Sequence, residues 1–179
     1  MGSPKALLDL GGEPILRRLT RVYERHCRQV VVVIGFEADR IRAAVRANYA
    51  VNPDPSRGQL SSLQCGLAAL RDDGPFLFQP VDYAAVSEAT IRTLLAVMEI
   101  EEPLLAIPRF DGKRGHPVAC AAKLRAEFLA LSPDAAARDI IHARIAETRY
   151  VDVQDREILR DIDSPEDYKR LMSEVEPVR

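Results

Sequence analysis

The sequence predicts an α/β fold in which helices cover both faces of an open, largely parallel sheet. Apolar β-branched runs alternate with segments of helical periodicity, and glycine or a carboxylate closes several of these runs. No internal repeat or low-complexity linker interrupts this alternation over the 179 residues. Because 47% of the residues are hydrophobic, the chain can build one good core, and we expect a single domain over residues 1–179.

The first half of the chain predicts three helices that alternate with three strands. In order, these are a helix after Pro14, a strand at "QVVVVIG" (29–35), a helix over 37–47, a short strand and loop in "NYAVNPDPSRGQ" (48–59), a helix with apolar residues from Leu60 to Leu70, and a strand at "PFLFQPVD" (75–82). The unbroken β-branched run of residues 29–35 is typical of a strand buried on both faces.

The second half continues the same pattern. It predicts a helix capped by Ser87, a strand over 104–110, the turn "DGKRG" (111–115), a returning partner strand "HPVAC" (116–120), helices near 122–131 and 134–146, and a strand over 149–153. In the closing "DIDSPEDYKRLM", Ser164 and Asp167 form a carboxylate variant of the capping box, with Pro165 at the first helical position. This motif predicts a final helix.

Composition excludes several classes of protein. The net charge of −2 gives no general attraction for nucleic acid or an anionic membrane. No apolar run reaches the roughly 18 residues of a membrane-spanning helix, and no basic-then-apolar leader is present, so we expect a cytoplasmic protein. Cys27, Cys65 and Cys120 lack C-x-x-C spacing and predict buried small side chains rather than a disulfide framework or a zinc site.

Two acidic segments are candidates for a metal site. Asp82 ends a predicted strand, and ligands of open α/β sheets bind beyond the carboxyl ends of strands. If phosphates bind there, this carboxylate suits Mg²⁺. Strand-like alternation in "DID" puts Asp161 and Asp163 on one side, flanking an inward Ile162. The alternatives are an ordinary loop carboxylate at Asp82 and a helix cap at Asp163.

Three polar groups are candidates for binding an anionic ligand. Lys5 lies in the glycine-rich opening "MGSPKALLDLGGEP" (1–14), and Ser61 and Ser62 lie at or near a helix start. The turn "KRGHPV" (113–118) offers Lys113, Arg114 and His116 to a second substrate. Each group also has an ordinary interpretation: a solvated lysine, helix-capping serines and a solubilising turn.

Five segments together resemble the molybdopterin nucleotidyltransferase-like family, above all its cytidylyltransferase members. In chain order they are "MGSPKALLDLGGEPIL", "GQLSSLQCGL", "PVDYAAVSEATI", "RGHPV" and "DIDSPEDY", and they extend from residue 1 to about residue 171. The resemblance implies a three-layer, Rossmann-like, mostly parallel sheet of the nucleotide-diphospho-sugar transferase type.

The resemblance also implies roles for the candidate residues. It makes Lys5 the catalytic loop lysine that meets the triphosphate, and Asp82 the catalytic aspartate that holds magnesium. Asp161 or Asp163 falls where the family brings a second ligand to the metal. The remaining implied contacts are Ser61 and Ser62 with the nucleotide, and Arg114, Gly115, His116 and Pro117 with the cofactor substrate.

The implied activity is Mg²⁺-dependent nucleotidyl transfer from a nucleoside triphosphate to molybdopterin, with release of pyrophosphate. The "RGHPV" likeness favours CTP over GTP. A molybdoenzyme or its chaperone is the implied protein partner, and neither nucleic acid nor a membrane is implied. The alternatives are a non-catalytic nucleotide- or pterin-binding module and a redox enzyme. The sequence has no G-x-G-x-x-G motif after a predicted strand, which argues against the dinucleotide site of a redox enzyme.

The beginning of the chain departs from the family pattern. Relatives begin with a hydrophobic strand and an L-A-A-G-x-S-x-R-M-G loop, whereas this sequence starts at the final Met-Gly of that loop. We therefore expect the first strand of the sheet to be missing. Strands 29–35 and 75–82 should then either close up on one another or be bridged by another chain.

Overall fold

The strands of the protein form two hydrogen-bonded sheets in a computed structural model that describes residues 4–174. The smaller sheet is a parallel pair, β1 (Val32–Ile34) and β2 (Tyr49–Val51). The larger sheet contains β3 (Phe76–Phe78), β4 (Leu105–Phe110), β5 (Lys113–Arg114), β6 (Val118–Cys120) and β7 (Thr148–Asp152).

Seven α-helices alternate with these strands in the described part of the chain. They are α1 (Ile15–Glu24), α2 (Ala38–Ala44), α3 (Gln59–Ala69), α4 (Glu88–Ile100), α5 (Leu124–Ala130), α6 (Ala137–Ala143) and α7 (Pro165–Glu174). Short 3₁₀ turns lie at Lys5–Leu7, Pro55–Arg57, Ile145–Glu147 and Arg156–Leu159. The predicted α/β alternation is confirmed, although most elements are shorter than the sequence pattern indicates.

The larger sheet is mixed, which corrects the prediction of a largely parallel arrangement. Its order is β3, β6, β4, with β5 and β7 also paired to β4. β6 runs antiparallel to both β3 and β4, whereas β7 runs parallel to β4. The cause is the turn after β4, which reverses the chain through β5 and inserts β6 between β3 and β4. The predicted return of residues 116–120 beside strand 104–110 is confirmed.

β1 and β3 are less buried than predicted, and each has only one hydrogen-bonded neighbour among the described strands. Each has three residues and pairs with one strand within the described residues, β1 with β2 and β3 with β6. Val32 and Val33 are therefore only half-buried, so the prediction of burial on both faces is wrong for this strand. Leu105–Pro108 of β4, which has strands on both sides, is buried throughout. The two sheets do not close up on one another in the described region.

The predicted capping box of the last helix is confirmed. Ser164 Oγ accepts a hydrogen bond from the Asp167 backbone N–H at 3.1 Å, and Asp167 Oδ2 accepts one from the Ser164 N–H at 2.9 Å. The Ser164 hydroxyl also donates to Asp167 Oδ2 at 2.7 Å, and this bond, together with the Ser164 backbone N–H, holds the pKa of Asp167 below its usual value. Leu171 of α7 then packs with Leu10 and Ile15, so the cap fixes a helix that covers the start of the chain.

Replacing Ser164 by Ala removes one half of this box. We expect a loss of about 1 kcal/mol in the free energy of unfolding, because the Asp167 N–H loses its acceptor at the helix start. The melting temperature should fall by about 2–4 °C for a chain of this size. The matched control is Ser132→Ala, because the exposed Ser132 hydroxyl makes no hydrogen bond within residues 4–174. Equal melting of both variants would contradict the cap.

All three cysteines are free thiols, but only one of them is buried as predicted. Cys120 is buried, whereas Cys27 and Cys65 are only half-buried.

Among residues 4–174, no helix combines the length and apolar character needed to cross a membrane.

Candidate active site

Three of the residues singled out from the sequence meet at one end of the sheets. Lys5 lies in the first 3₁₀ turn, Asp82 follows β3, and Asp163 precedes α7. The Lys5 ammonium lies 2.6 Å from Asp163 Oδ1 and 3.9 Å from Asp82 Oδ2. Residues separated by 158 positions in the chain therefore share one ion-pair network.

Asp82 is the more buried carboxylate of this network, and part of its charge is shielded from water. Burial raises its pKa above the ordinary value, Lys5 opposes that shift, and the charges of Asp161 and Asp163 add to it. Its Oδ1 atom is buried and has no hydrogen-bond partner among the described residues. A buried carboxylate oxygen without a donor carries a desolvation cost that a cation can relieve.

The "DID" segment is attached directly to the loop that carries Asp82. The Ile162 backbone N–H donates to the Asp82 carbonyl at 3.1 Å, and the Ile162 side chain is 2% exposed. Asp161 and Asp163 on either side are exposed, so the predicted alternation around an inward Ile162 is confirmed. Within residues 4–174, no three His, Cys, Asp or Glu side chains are already grouped so as to hold a metal ion.

Ser61 and Ser62 lie in the first turn of α3 and contact a buried asparagine. Asn52, directly after β2, donates from Nδ2 to Ser61 Oγ at 2.8 Å and to Ser62 Oγ at 3.0 Å. The Asn52 backbone N–H donates to Ile34 O at the end of β1. Val81, beside Asp82, packs with the cluster that contains Ile34, so the serine turn and Asp82 belong to the same end of the fold.

The "RGHP" turn is fixed against the segment after β7. The His116 backbone N–H donates to Ile158 O at 3.0 Å, and the Gly115 N–H donates to Pro108 O at 3.0 Å. A Cβ atom at Gly115 would lie 2.1 Å from Ile158 O, so only glycine permits this close approach. The peptide bond between His116 and Pro117 is cis.

His116 is enclosed by aromatic rings. Its ring centroid lies 4.5 Å from that of Tyr83 and 6.2 Å from that of Phe78. Burial lowers the pKa of His116 to about 4, so the imidazole is neutral at physiological pH. Its buried Nδ1 atom has no hydrogen-bond partner in the described structure. Because Tyr83 follows Asp82 directly, the ring stack connects the "GHP" turn to the carboxylate network.

The structure separates the remaining candidates and adds two residues that the sequence patterns missed. Arg114 is exposed in the β4–β5 hairpin, and Pro117 is fully buried beside His116. Asn52 was missed because it lies where the segment 48–59 was interpreted as a strand that passes into a loop, and Tyr83 was missed although it belongs to the "PVDYAAVSEATI" segment. The adjacency of Tyr83 to Asp82 was a usable signal, whereas the contact of Asn52 with the serines depends on how the chain folds back.

This geometry suits a ligand that carries phosphates. One cation and two carboxylates lie at the end of β3, and donor groups lie at the first turn of α3, which no side chain caps. Carboxylate oxygens are suitable ligands for Mg²⁺ or Mn²⁺. The free backbone N–H groups of a helix start and the serine hydroxyls can donate hydrogen bonds to acceptor atoms of a ligand. The fold and the site define an α/β protein whose charged and hydroxyl groups lie beyond the ends of its strands, where open α/β sheets bind their ligands.

Solved structures identify the fold as that of nucleotidyltransferases. Rv0371c from Mycobacterium tuberculosis H37Rv matches with a TM-score of 0.85 and 24% identity, covering 97% of this chain and 90% of that one. A second structure of that protein is a complex with manganese. A nucleotidyl transferase from Methanothermobacter thermautotroptrophicus matches with a TM-score of 0.78 and 22% identity, covering 95% of this chain and 84% of that one.

The chain belongs to the MobA-like NTP transferase domain family, whose model matches residues 1–149. The family resemblance predicted from the five segments is thereby confirmed, and the chain is a nucleotidyltransferase domain. Its similarity to the molybdenum cofactor cytidylyltransferase of Escherichia coli K12 is 22% over 173 residues, covering 94% of this chain and 86% of that protein. It is 28% identical over 123 residues to the bifunctional protein GlmU of Albidiferax ferrireducens, with 63% of this chain aligned to 26% of that protein's length.

Proposed function

We propose that this protein transfers a nucleotidyl group from a nucleoside triphosphate, CTP in preference to GTP, to a molybdopterin-type acceptor and releases pyrophosphate. The observation that carries the proposal is the network of Lys5, Asp82 and Asp163 at the end of β3. The proposed acceptor and the preference for CTP draw on the similarity to a curated molybdenum cofactor cytidylyltransferase.

A divalent cation fits the residues of this network. The buried Oδ1 of Asp82 has no partner among the described residues, and the carboxyl of Asp163, which pairs with Lys5, is 68% exposed. Mg²⁺ commonly takes one or two carboxylates and completes its shell with water and phosphate oxygens, so a third carboxylate is unnecessary. Asp82 and Asp163 would hold the ion, with Asp161 as a neighbouring charge. When bound, it supplies charge neutralisation at the triphosphate and polarises the α-phosphate.

The chain's own residues then act by positioning and charge. A phosphate oxygen of the acceptor attacks the α-phosphorus in line, the new P–O bond forms, and the bond to the bridging oxygen breaks to release pyrophosphate. Lys5 offsets negative charge on the triphosphate. Its ammonium already pairs with the carboxylates of Asp82 and Asp163, and a bound triphosphate would compete with them for this cation. No side chain serves as a nucleophile in this reaction.

The acceptor would approach from the "RGHP" side of the network. His116 is neutral and presses against Tyr83, so it offers a flat, uncharged surface rather than a cation. Arg114 is exposed in the adjoining hairpin and offers charge to the acceptor's phosphate. We assign Gly115 and Pro117 the task of holding this turn in place.

The test is release of pyrophosphate from CTP and from GTP, with molybdopterin and Mg²⁺ present or omitted. We expect release that requires both molybdopterin and the ion and that is faster with CTP than with GTP. Nucleotide binding without any pyrophosphate release would contradict the transfer reaction and support the non-catalytic binding module instead.

A further inference from the structure

Asn52 is the most completely bonded polar side chain near the proposed nucleotide site. It is 4% exposed, and both of its amide hydrogens are used, one on Ser61 Oγ and one on Ser62 Oγ. Its Oδ1 accepts the Asp54 backbone N–H at 3.0 Å. That backbone donor fixes which side of the carboxamide is oxygen, so the nitrogen must face the serines.

The two serines differ in the direction of their own protons. Ser61 Oγ donates to the Gly58 carbonyl at 2.8 Å, so its proton is committed to the protein. Ser62 Oγ accepts from Asn52, but its proton has no acceptor within residues 4–174. Ser61 is 5% exposed, whereas Ser62 is half-buried at the edge of the helix turn. Ser62 therefore keeps one unused donor at an accessible position.

We infer that Asn52 is a positioning residue that makes the Ser62 hydroxyl an obligatory hydrogen-bond donor to the nucleotide. This inference rests on the proposed function. Since the Asn52 amide already occupies a lone pair of Ser62 Oγ, the hydroxyl proton points away from the asparagine. The group that it meets must then be an acceptor, such as a base carbonyl or a phosphate oxygen of the nucleoside triphosphate.

The substitution Asn52→Asp tests the polarity of this arrangement with almost no change in shape. It replaces an amide that donates to Ser62 with a carboxylate that can only accept. The Ser62 proton then turns toward the introduced carboxylate and is lost to the nucleotide. A second substitution, Ser62→Ala, removes the same donor directly, so the two changes should affect binding through one shared hydrogen bond.

The experiment titrates CTP and GTP in the presence of Mg²⁺ into the wild type, the two single variants and the double variant. Each single variant should weaken the better-bound nucleotide roughly three- to tenfold, the effect of one hydrogen bond. The double variant should be no weaker than the single variants, because the bond can be lost only once. In the transfer assay we expect KM for the nucleotide to rise while kcat stays unchanged, a split that general destabilisation would not produce.

Asn48→Asp is the matched control. Asn48 precedes β2 as Asn52 follows it, is exposed, and donates from Nδ2 to Val30 O rather than to a serine. Its replacement should leave the nucleotide affinity unchanged. Equal weakening by Asn48→Asp would attribute the effect to added negative charge and overturn the inference. Multiplying effects in the double variant would overturn it too, since the two residues would then act independently.

A comparison of the serines keeps the inference testable where Asn52→Asp does not fold. Ser61→Ala should lower the melting temperature more than Ser62→Ala does and weaken the nucleotide less, because the Ser61 proton is bonded to Gly58 O. The reverse order would overturn the inference. A wild type that binds neither nucleotide would overturn the proposed function as well, whereas a binding wild type with unaffected Ser62→Ala overturns the inference alone.

Discussion

Replacing Asp82 by Asn is expected to abolish divalent-cation-dependent nucleotidyl transfer, with a loss of about a thousandfold or more. The amide cannot supply the anionic oxygen that the ion needs, and the buried Oδ1 position would carry a neutral group. Stability at neutral pH should be unchanged or slightly higher. Burial raises the pKa of Asp82, so the ionised form costs stability at pH values above its folded pKa, and the neutral amide removes that cost. Transfer rates and melting curves with and without Mg²⁺ measure both effects.

Asp152→Asn is the control for this substitution. Asp152 is an exposed aspartate at the end of β7, and it pairs with Arg109 at 2.7 Å, away from the Lys5 network. Its replacement should leave transfer within about twofold of the wild type, because an exposed ion pair contributes little even to stability. If the Asp82 variant retained transfer within about tenfold of the parent, Asp82 would not be a metal ligand.

Replacing Gly115 by Ala should cause the largest loss of stability among the substitutions considered. The new Cβ atom would lie 2.1 Å from Ile158 O and 2.6 Å from the carbonyl carbon, and both are backbone atoms that cannot rotate away. Relief requires the "RGHP" turn to separate from the 3₁₀ turn Arg156–Leu159, which breaks the hydrogen bond from His116 N to Ile158 O. We expect a loss of about 3 kcal/mol or more, and a melting temperature lower by about 6–12 °C.

The same change at Gly74 provides the control. A Cβ atom there would approach Asp72 Oδ1 at 2.9 Å, but that atom is the end of a side chain that can move aside. Gly74→Ala should therefore shift melting by no more than about 2 °C. If the Gly115 variant melted as the Gly74 variant does, the turn would have room to move, and His116 would not be held as the structure places it.

The residue patterns alone identified Asp82 and the "DID" segment as candidates because their signals are local, whereas their joint role with Lys5 was implied by the family resemblance. Asp82 ends an apolar run, and Ile162 between two aspartates has a clear alternation. Asp82 indeed follows the strand, and Asp161 and Asp163 are exposed on either side of the buried Ile162. The capping box of Ser164 and Asp167 was predictable for the same reason, since both partners lie within one helical turn.

The features that the sequence did not predict depend on which distant segments meet. The insertion of β6 between β3 and β4 follows from a chain reversal whose register no local pattern specifies. The bonds of Asn52 to Ser61 and Ser62 join residues across an irregular loop, so a segment rich in proline and aspartate conceals a buried polar cluster. His116 was assigned to the acceptor from its turn, but its enclosure by Phe78 and Tyr83 required the fold.

The meeting of the first and last described segments has a consequence for how the protein is made. Lys5 pairs with Asp163, and the Tyr168 hydroxyl donates to the Asp9 carbonyl at 2.6 Å. During translation, the opening loop emerges from the ribosome long before the residues that hold it. A nascent chain that stops short of Tyr168 therefore lacks this clamp, whatever the state of its sheets. The Lys5 network therefore assembles only after the segment from Asp163 to Tyr168 has been synthesised, when the residues of both sheets have already been made.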